Sequence, residues 1–239
     1  MAHRFSGAAA GAYDAGRAPY LPEVVAALDL PTAPARVLDL AAGTGLLCRA
    51  LLDAGHAVIA VEPDPDMAAR QPDGIERVAS SAEATGLPPA SVDAAVVGDA
   101  WHWFDAPSAA DEVHRVLRPH GRLALVWRFS VAEERPAALE GFYELLADVR
   151  GEHPGFVGER GREALEAHPG FGPFRHHRVP FLRRTSRSGL IAEAASASFV
   201  NALEHHEQFL ERLRRALASV EAVDVPYAAD VWVTTRRPD

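Results

Sequence analysis

Glycines and acidic residues in the first hundred positions are spaced as a ligand site would need them. Asp39 interrupts the apolar run Val37-Leu38-Asp39-Leu40-Ala41 and is followed at once by Ala42-Gly43-Thr44-Gly45. A carboxylate is costly to bury without a partner, and a cationic or hydrogen-bonding ligand beside it would supply one. The glycines let the chain turn sharply and approach a ligand closely, since no Cβ intervenes. A helix starting there aims its free N–H groups at the same point. Glu62 ends a second apolar run, Val58-Ile59-Ala60-Val61. There it can accept hydrogen bonds from both hydroxyls of an adenosine ribose, and its charge opposes a 2′-phosphate. The alternative for Glu62 is a solvated carboxylate at a strand end. A third run leads into Trp101-His102-Trp103-Phe104, whose aromatic faces suit a cation or an organic substrate, or else pack into the core. His102 is the candidate general base for a hydroxyl or amine acceptor. Orienting a substrate and a purely structural role are its alternatives.

What the chain lacks narrows the chemistry. All 24 basic residues are arginine, which excludes the P-loop lysine and the pyridoxal-phosphate Schiff base. A dinucleotide fingerprint wants glycine or alanine three residues after Gly45. Cys48 stands there, so the segment leans away from NAD. The net charge of −9 offers no basic field for a phosphate backbone, and nucleic acid is not expected as a partner. Cys48 is the only cysteine, so no intramolecular disulfide forms, and a buried, inert thiol is expected. The pairs His176-His177 and His205-His206 lack metal-ligand spacing, so no metal is expected. No apolar run approaches the roughly 20 residues that span a bilayer, and Met1 to Gly16 lacks a signal-peptide core. A soluble, cytoplasmic protein without a membrane partner is the expectation.

The elements that must position these residues alternate. Buried strands are expected at Arg36 to Ala41, Ala57 to Glu62, Val92 to Gly98 and Arg122 to Trp127, with a weaker one at Ile75 to Ser81. Helices are expected at Gly45 to Ala54, Asp66 to Arg70 and Ser108 to Leu117, the last ended by a turn at Arg118-Pro119-His120-Gly121. This alternation implies a parallel sheet with helices on both faces. Farther on, Arg135 to Val149 reads as helix and Phe174 to Arg184 as a strand. Glu204 to Ser219 is an amphipathic helix, and Tyr227 to Arg236 is a final strand.

With these residues set out, Asp39 to Gly45, then Glu62, then Ser81-Ala82-Glu83 before Leu87-Pro88, resemble the cofactor site of class I S-adenosylmethionine-dependent methyltransferases. Gly98-Asp99-Ala100-Trp101-His102-Trp103-Phe104-Asp105 resembles the segment after the fourth strand of the methyltransferase-11-type, trans-aconitate-methyltransferase-like subfamily. Phe5, Ala12-Tyr13-Asp14, Arg17 and Tyr20 resemble that subfamily's opening. Relatives usually carry glycine at Ala41 and commonly glutamine at Asp99.

The resemblance implies an α/β, Rossmann-like fold: a mostly parallel sheet of about seven strands with an antiparallel closing strand. It also implies methyl transfer from S-adenosylmethionine to a small-molecule acceptor by in-line displacement. Asp39, Ala41, Gly43 and Gly45 would lie at the amino-acid end of the cofactor and Glu62 on its ribose. Pro63 and Met67 would flank the adenine, with Ser81, Ala82 and Glu83 at its edge. Tyr13 and Arg17 would close over the methionine part, Arg17 near its carboxylate or else as a surface arginine. Gly98, Asp99 and Trp101 complete the set, with His102 as the base.

One domain spanning 1–239 is expected. Residues 1–34 would cap the cofactor, 35–130 would form the core, 131–226 a substrate-side cap and 227–237 the closing strand, in a monomer or homodimer. Arg178, Arg183 and Arg184 in that cap could steer a carboxylated acceptor, or else are solvated surface arginines. The competing readings are an NAD-dependent oxidoreductase and a non-catalytic, methyltransferase-like binding protein.

Overall fold

The computed structural model describes residues 14, 16–151 and 162–238. Seven strands are present: β1 (Arg36–Leu40), β2 (Ala57–Val61), β3 (Glu76–Val78), β4 (Val92–Gly98), β5 (Leu117–Ser130), β6 (Arg175–Ser186) and β7 (Ala222–Thr235). They form one sheet in the order β3-β2-β1-β4-β5-β7-β6. Residues 37–40 of β1 and 58–61 of β2 are all buried, which is why their sequences read as continuous apolar runs rather than alternating ones.

The pairs β1–β2, β1–β4, β2–β3 and β4–β5 are parallel. The direction of β7 follows from its bonds. Arg236 N–H donates to Gly121 O at 2.9 Å, and Val131 N–H donates to Pro226 O at 2.9 Å. As β5 advances, its partner on β7 recedes, so β7 runs antiparallel. On its other side, Phe171 bridges Arg236 antiparallel and Gly172 N–H donates to Thr235 O at 2.9 Å. The mostly parallel, seven-stranded sheet with an antiparallel closing strand is the expected Rossmann-like architecture.

Helices flank the sheet: α1 (Pro22–Ala27), α2 (Leu46–Asp53), α3 (Pro65–Ala68), α4 (Ala106–Val116), α5 (Glu140–Arg150), α6 (Arg162–Ala167), α7 (Arg187–Ala195), α8 (Ser198–Asn201) and α9 (His206–Ala216). Their starts follow local chemistry. Asp64 caps α3 by accepting from Asp66 N and Met67 N, and Asp105 caps α4 by accepting from Ser108 N at 3.1 Å. Each such cap is worth about 1 kcal/mol.

Three expectations need correction. The helix before Arg118-Pro119-His120-Gly121 does end, at Val116, but the next strand does not wait for Arg122: β5 begins at Leu117 and runs through the turn. Val92 pairs with Leu117 and Ala94 with Arg122, so one residue on β4 faces four on β5. His120 takes a φ of 65°, and the turn chemistry is absorbed as a bulge. The helix expected from Arg135 begins only at Glu140. Pro136 precedes it, fixes its own φ and lacks a donor, and a 3₁₀ turn over Ala137–Leu139 intervenes. The helices α1, α6, α7 and α8 have no counterpart in the sequence reading; they are only 6, 6, 9 and 4 residues long, too short to show clear periodicity.

The chain divides into two compact units. One comprises Pro19–Trp127 with the described parts of Gly158–Val179 and Ala229–Asp239. Its core gathers Leu38, Leu40, Ile59, Val61, Val97, Trp101, Val113, Leu123 and Leu125. The other comprises Pro180–Ala228 with the described parts of Met1–Ala18 and Arg128–Val157. There α5, α7, α8 and α9 bury Leu139, Phe142, Leu190, Phe199, Leu210 and Leu213. Among the described residues no helix is long and apolar enough to cross a membrane.

Candidate functional site

The sheet register brings the sequence candidates to one edge. Leu40 pairs with Val61 on one side and Val97 on the other, so Ala41, Glu62 and Gly98 leave adjacent strand ends side by side. The backbone there is unusual. Ala41, Gly43, Gly45 and Asp99 have φ of 53°, 56°, 81° and 52°, all in the left-handed region. Glycine adopts it freely; a residue with a Cβ pays about 1–2 kcal/mol. Gly45 is required twice over, because a Cβ there would also lie 2.6 Å from Pro72 Cδ.

Glu62 is 8% exposed and holds the loop directly. Its Oε2 accepts from Gly43 N–H at 2.8 Å and its Oε1 from Asp64 N–H at 2.9 Å. Burial pushes its pKa up, while these two N–H groups pull it down. Each oxygen retains a lone pair for a further donor. Gln71 holds the same residue from its other side: its Nε2 donates to Gly43 O at 3.0 Å.

Asp39 is 1% exposed, and it has a partner within the chain. The Cys48 thiol donates to Asp39 Oδ2 at 3.1 Å. Thiols are weak donors, and burial pushes the Asp39 pKa to about 7, with the Cys48 bond opposing and the Glu62 charge adding. The Cys48 thiol is pushed far upward by burial and by Asp39, as expected of an inert cysteine. Near neutrality Asp39 is therefore poised between acid and carboxylate, and an adjacent cation would favour the carboxylate.

The remaining candidates distribute around this edge. Met67 is buried, Pro63 is exposed, and Pro63 joins Glu62, Pro65, Ala68, Arg77 and Ala79 around a hollow of about 370 Å³. Ala82 is buried in the core cluster, Ser81 is exposed, and Glu83 Oε1 accepts from Asp105 N–H at 3.0 Å. Beyond Gly98, a 3₁₀ turn spans Trp101–Trp103. Trp101 is 1% exposed and packs edge-to-face on Phe104, so its ring is core. Trp103 is 43% exposed, and half-buried His102 lies 4.9 Å from its ring. Arg17 is half-buried and falls in the other unit. Tyr13 lies outside the described residues.

The cap arginines have partners: Arg178 approaches Asp230 at 3.8 Å, Arg184 pairs with Asp224 at 3.0 Å, and buried Arg183 pairs with Glu193 at 2.6 Å. His176 stacks on Trp232 at 4.2 Å. Among the described residues no group of three or more His, Cys, Asp or Glu is placed to hold a metal ion.

Three residues at this edge went unassigned in the sequence. Cys48 and Gln71 carry no local signal. Tyr20 does, belonging to the opening segment of the resemblance. Its hydroxyl packs on Gly98, where any side chain would collide with it, and donates to Asp99 Oδ2 at 3.4 Å.

Comparison with known proteins gives the family and the fold. A methyltransferase domain model matches residues 38–125. An uncharacterized methyltransferase of Mycobacterium tuberculosis is 37% identical over 223 residues, which span 91% of this chain and 87% of that protein. The fold matches a candidate type II methyltransferase from Anaeromyxobacter dehalogenans at a TM-score of 0.65 and 23% identity, covering 92% of this chain and 97% of that one. It also matches phosphoethanolamine N-methyltransferase 2 of Haemonchus contortus, whose structure holds phosphomonomethylethanolamine and S-adenosylhomocysteine. That likeness has a TM-score of 0.53 and 14% identity, and covers 90% of this chain and 52% of the other. Sequence identity along nearly the whole chain, the loop gripped by Glu62 and the sheet that carries it lead to one assignment: the chain belongs to the class I methyltransferase family and is a methyltransferase enzyme.

Proposed function

We propose that this enzyme transfers a methyl group from S-adenosylmethionine to a small organic acceptor. The observation that carries the reading is the convergence of buried Asp39, the Gly43–Gly45 turn and Glu62 at adjacent strand ends, with Glu62 bonded to Gly43 N–H at 2.8 Å. The residues fit the cofactor. Gly45 packs against Pro72 and Gln71 with no room for a Cβ, which fixes the turn, Glu62 keeps acceptor capacity for ribose hydroxyls, and Asp39 is a buried acid that a cation would ionise. On this reading Asp39, Ala41, Gly43 and Gly45 would hold the amino-acid end and Glu62 the ribose. Pro63, Met67, Ser81, Ala82 and Glu83 would surround the adenine. Gly98 and Asp99, backed by Tyr20, would border the site at β4, with Trp101 packed beneath it.

When bound, S-adenosylmethionine supplies a methyl group on a sulfonium, which leaves as a neutral thioether. The chain's task is then to hold the acceptor in line behind that methyl group and exclude water, the source of much of the acceleration in such reactions. We assign His102 to the acceptor side, where it would take a proton from a hydroxyl or amine. The acidic charge of the chain supports a small molecule over nucleic acid as acceptor.

Calorimetric titration with S-adenosylhomocysteine and with NAD tests the cofactor; binding of NAD alone would overturn the reading. A labelled-methyl screen over small acids and phenols tests the acceptor, and transfer only to protein or nucleic acid would overturn that class. His102→Ala should lower kcat by about 10²–10⁴-fold with cofactor affinity unchanged. Unaltered kcat and KM would remove His102 from the site.

A further inference from the structure

The motif supplies one side of the grip on Gly43; the other comes from a residue that no motif contains. Gln71 lies three residues beyond α3 and is 6% exposed. Its amide N–H holds the Gly43 carbonyl at 3.0 Å while Glu62 holds the Gly43 N–H at 2.8 Å, so both backbone polar groups of Gly43 end on buried side chains. Gln71 also backs onto the next glycine: a Cβ at Gly45 would lie 3.3 Å from Gln71 Cα and Cγ. Gln71 is itself anchored, since its N–H donates to Ala68 O at 3.2 Å and its carbonyl accepts from Arg77 Nη2 at 3.1 Å.

The amide is oriented by this bond, because a flipped amide would set two carbonyl oxygens against each other. The bond has a cost: Oε1 is left buried with no hydrogen-bond partner among the described residues. For packing alone, an apolar side chain of similar volume would be the more stable occupant. The polar group is explained by what its N–H holds.

We propose that Gln71 is a positioning residue for the cofactor loop, acting through the Gly43 carbonyl. It keeps Gly43 and Gly45 in their left-handed conformations before ligand arrives, so that ordering the loop does not draw on binding energy. The inference rests on the cofactor reading above, and its test separates the two.

Gln71→Met keeps volume and removes the donor. We expect its affinity for S-adenosylhomocysteine to fall by about 3- to 10-fold, with KM for S-adenosylmethionine rising alike and kcat little changed. The melting temperature of the cofactor-free protein should change little, since losing the unsatisfied Oε1 offsets the donor lost at Gly43 O. Gln71→Glu supplies a signature that a packing role lacks. Its neutral acid can donate to Gly43 O and its carboxylate cannot, so its affinity relative to wild type should worsen as pH rises.

Amide hydrogen exchange in the cofactor-free protein reads the loop without any ligand, and residues 43–45 should exchange faster in Gln71→Met. If wild type binds no S-adenosylhomocysteine, the cofactor reading fails and the exchange rates judge Gln71 alone. Unchanged exchange overturns the proposal. So does wild-type affinity in a folded Gln71→Met, or a pH-independent affinity ratio for Gln71→Glu.

Discussion

Replacing Asp39 by asparagine should make the cofactor-free protein more stable while weakening its site. Burial holds the Asp39 pKa at about 7 against an ordinary value of 3.8. An acid whose pKa is raised by folding binds its proton more tightly in the folded state. Its contribution to stability is therefore complete below pH 3.8, is lost progressively up to about pH 7, and is constant above that. At about 1.4 kcal/mol per pH unit the loss is at most about 4 to 5 kcal/mol, an upper limit because water entry and relaxation soften burial. Asparagine cannot ionise, and its oxygen can still accept from the Cys48 thiol.

Unfolding in urea between pH 4 and 8, wild type against Asp39→Asn, measures the difference. The two should be nearly equal at pH 4 and diverge to as much as about 4 kcal/mol by pH 8 in favour of the variant. For a chain of this size that is about 10 °C in Tm. Glu62 is also shifted upward, but it is present in both proteins and cancels to first order. A pH-independent difference, or a more stable wild type at pH 8, would refute the argument. On the proposed cofactor reading, the stabilised variant should nevertheless bind S-adenosylhomocysteine more weakly, since the carboxylate that would face its ammonium has been replaced by a neutral amide.

Glu62→Ala should weaken S-adenosylhomocysteine binding by roughly 1–3 kcal/mol in calorimetry and also lower Tm, because Gly43 N–H and Asp64 N–H lose their acceptor. Ala41→Gly should raise stability in urea by about 0.5 kcal/mol: relief of the strain at φ 53° outweighs the added freedom of the unfolded chain. An equal loss would show that Ala41 is unstrained. Arg183→Met should cost about 3 kcal/mol in the same assay, because buried Arg183 bonds Glu193 Oε2 and Gly16 O, each at 2.6 Å, and Tyr227 OH at 3.2 Å. A change below about 0.5 kcal/mol would show that water replaces those bonds.

Much of this molecule is legible from local pattern. The runs Val37–Leu40 and Val58–Val61 are apolar because both faces of a parallel strand are covered, and that burial is visible without knowing what covers it. Glycines at 43 and 45 announce a left-handed turn, since the constraint acts on the residue's own backbone. An acid inside the first strand and another just past the second point to a candidate site because strand ends in such sheets are where ligands sit.

The partners of those residues were decided only by the tertiary structure. Glu62 meets Gly43 across 19 positions and Gln71 meets it across 28, and Tyr20 reaches Asp99 across 79. No periodicity encodes such meetings; they follow from which strand pairs with which and in what register. Cys48 looked like an inert core thiol because its helix spacing is apolar, yet the fold turns that thiol onto Asp39 and so helps set its charge. Trp101, in a run that local pattern left open between ligand and core, went into the core, because 3₁₀ geometry sends adjacent aromatic residues in different directions. Pro119-His120-Gly121 holds turn chemistry, but whether a turn ends a strand or bulges it depends on the neighbours. With β4 on one side and β7 on the other, β5 has partners on both sides of the bulge, and the strand continues.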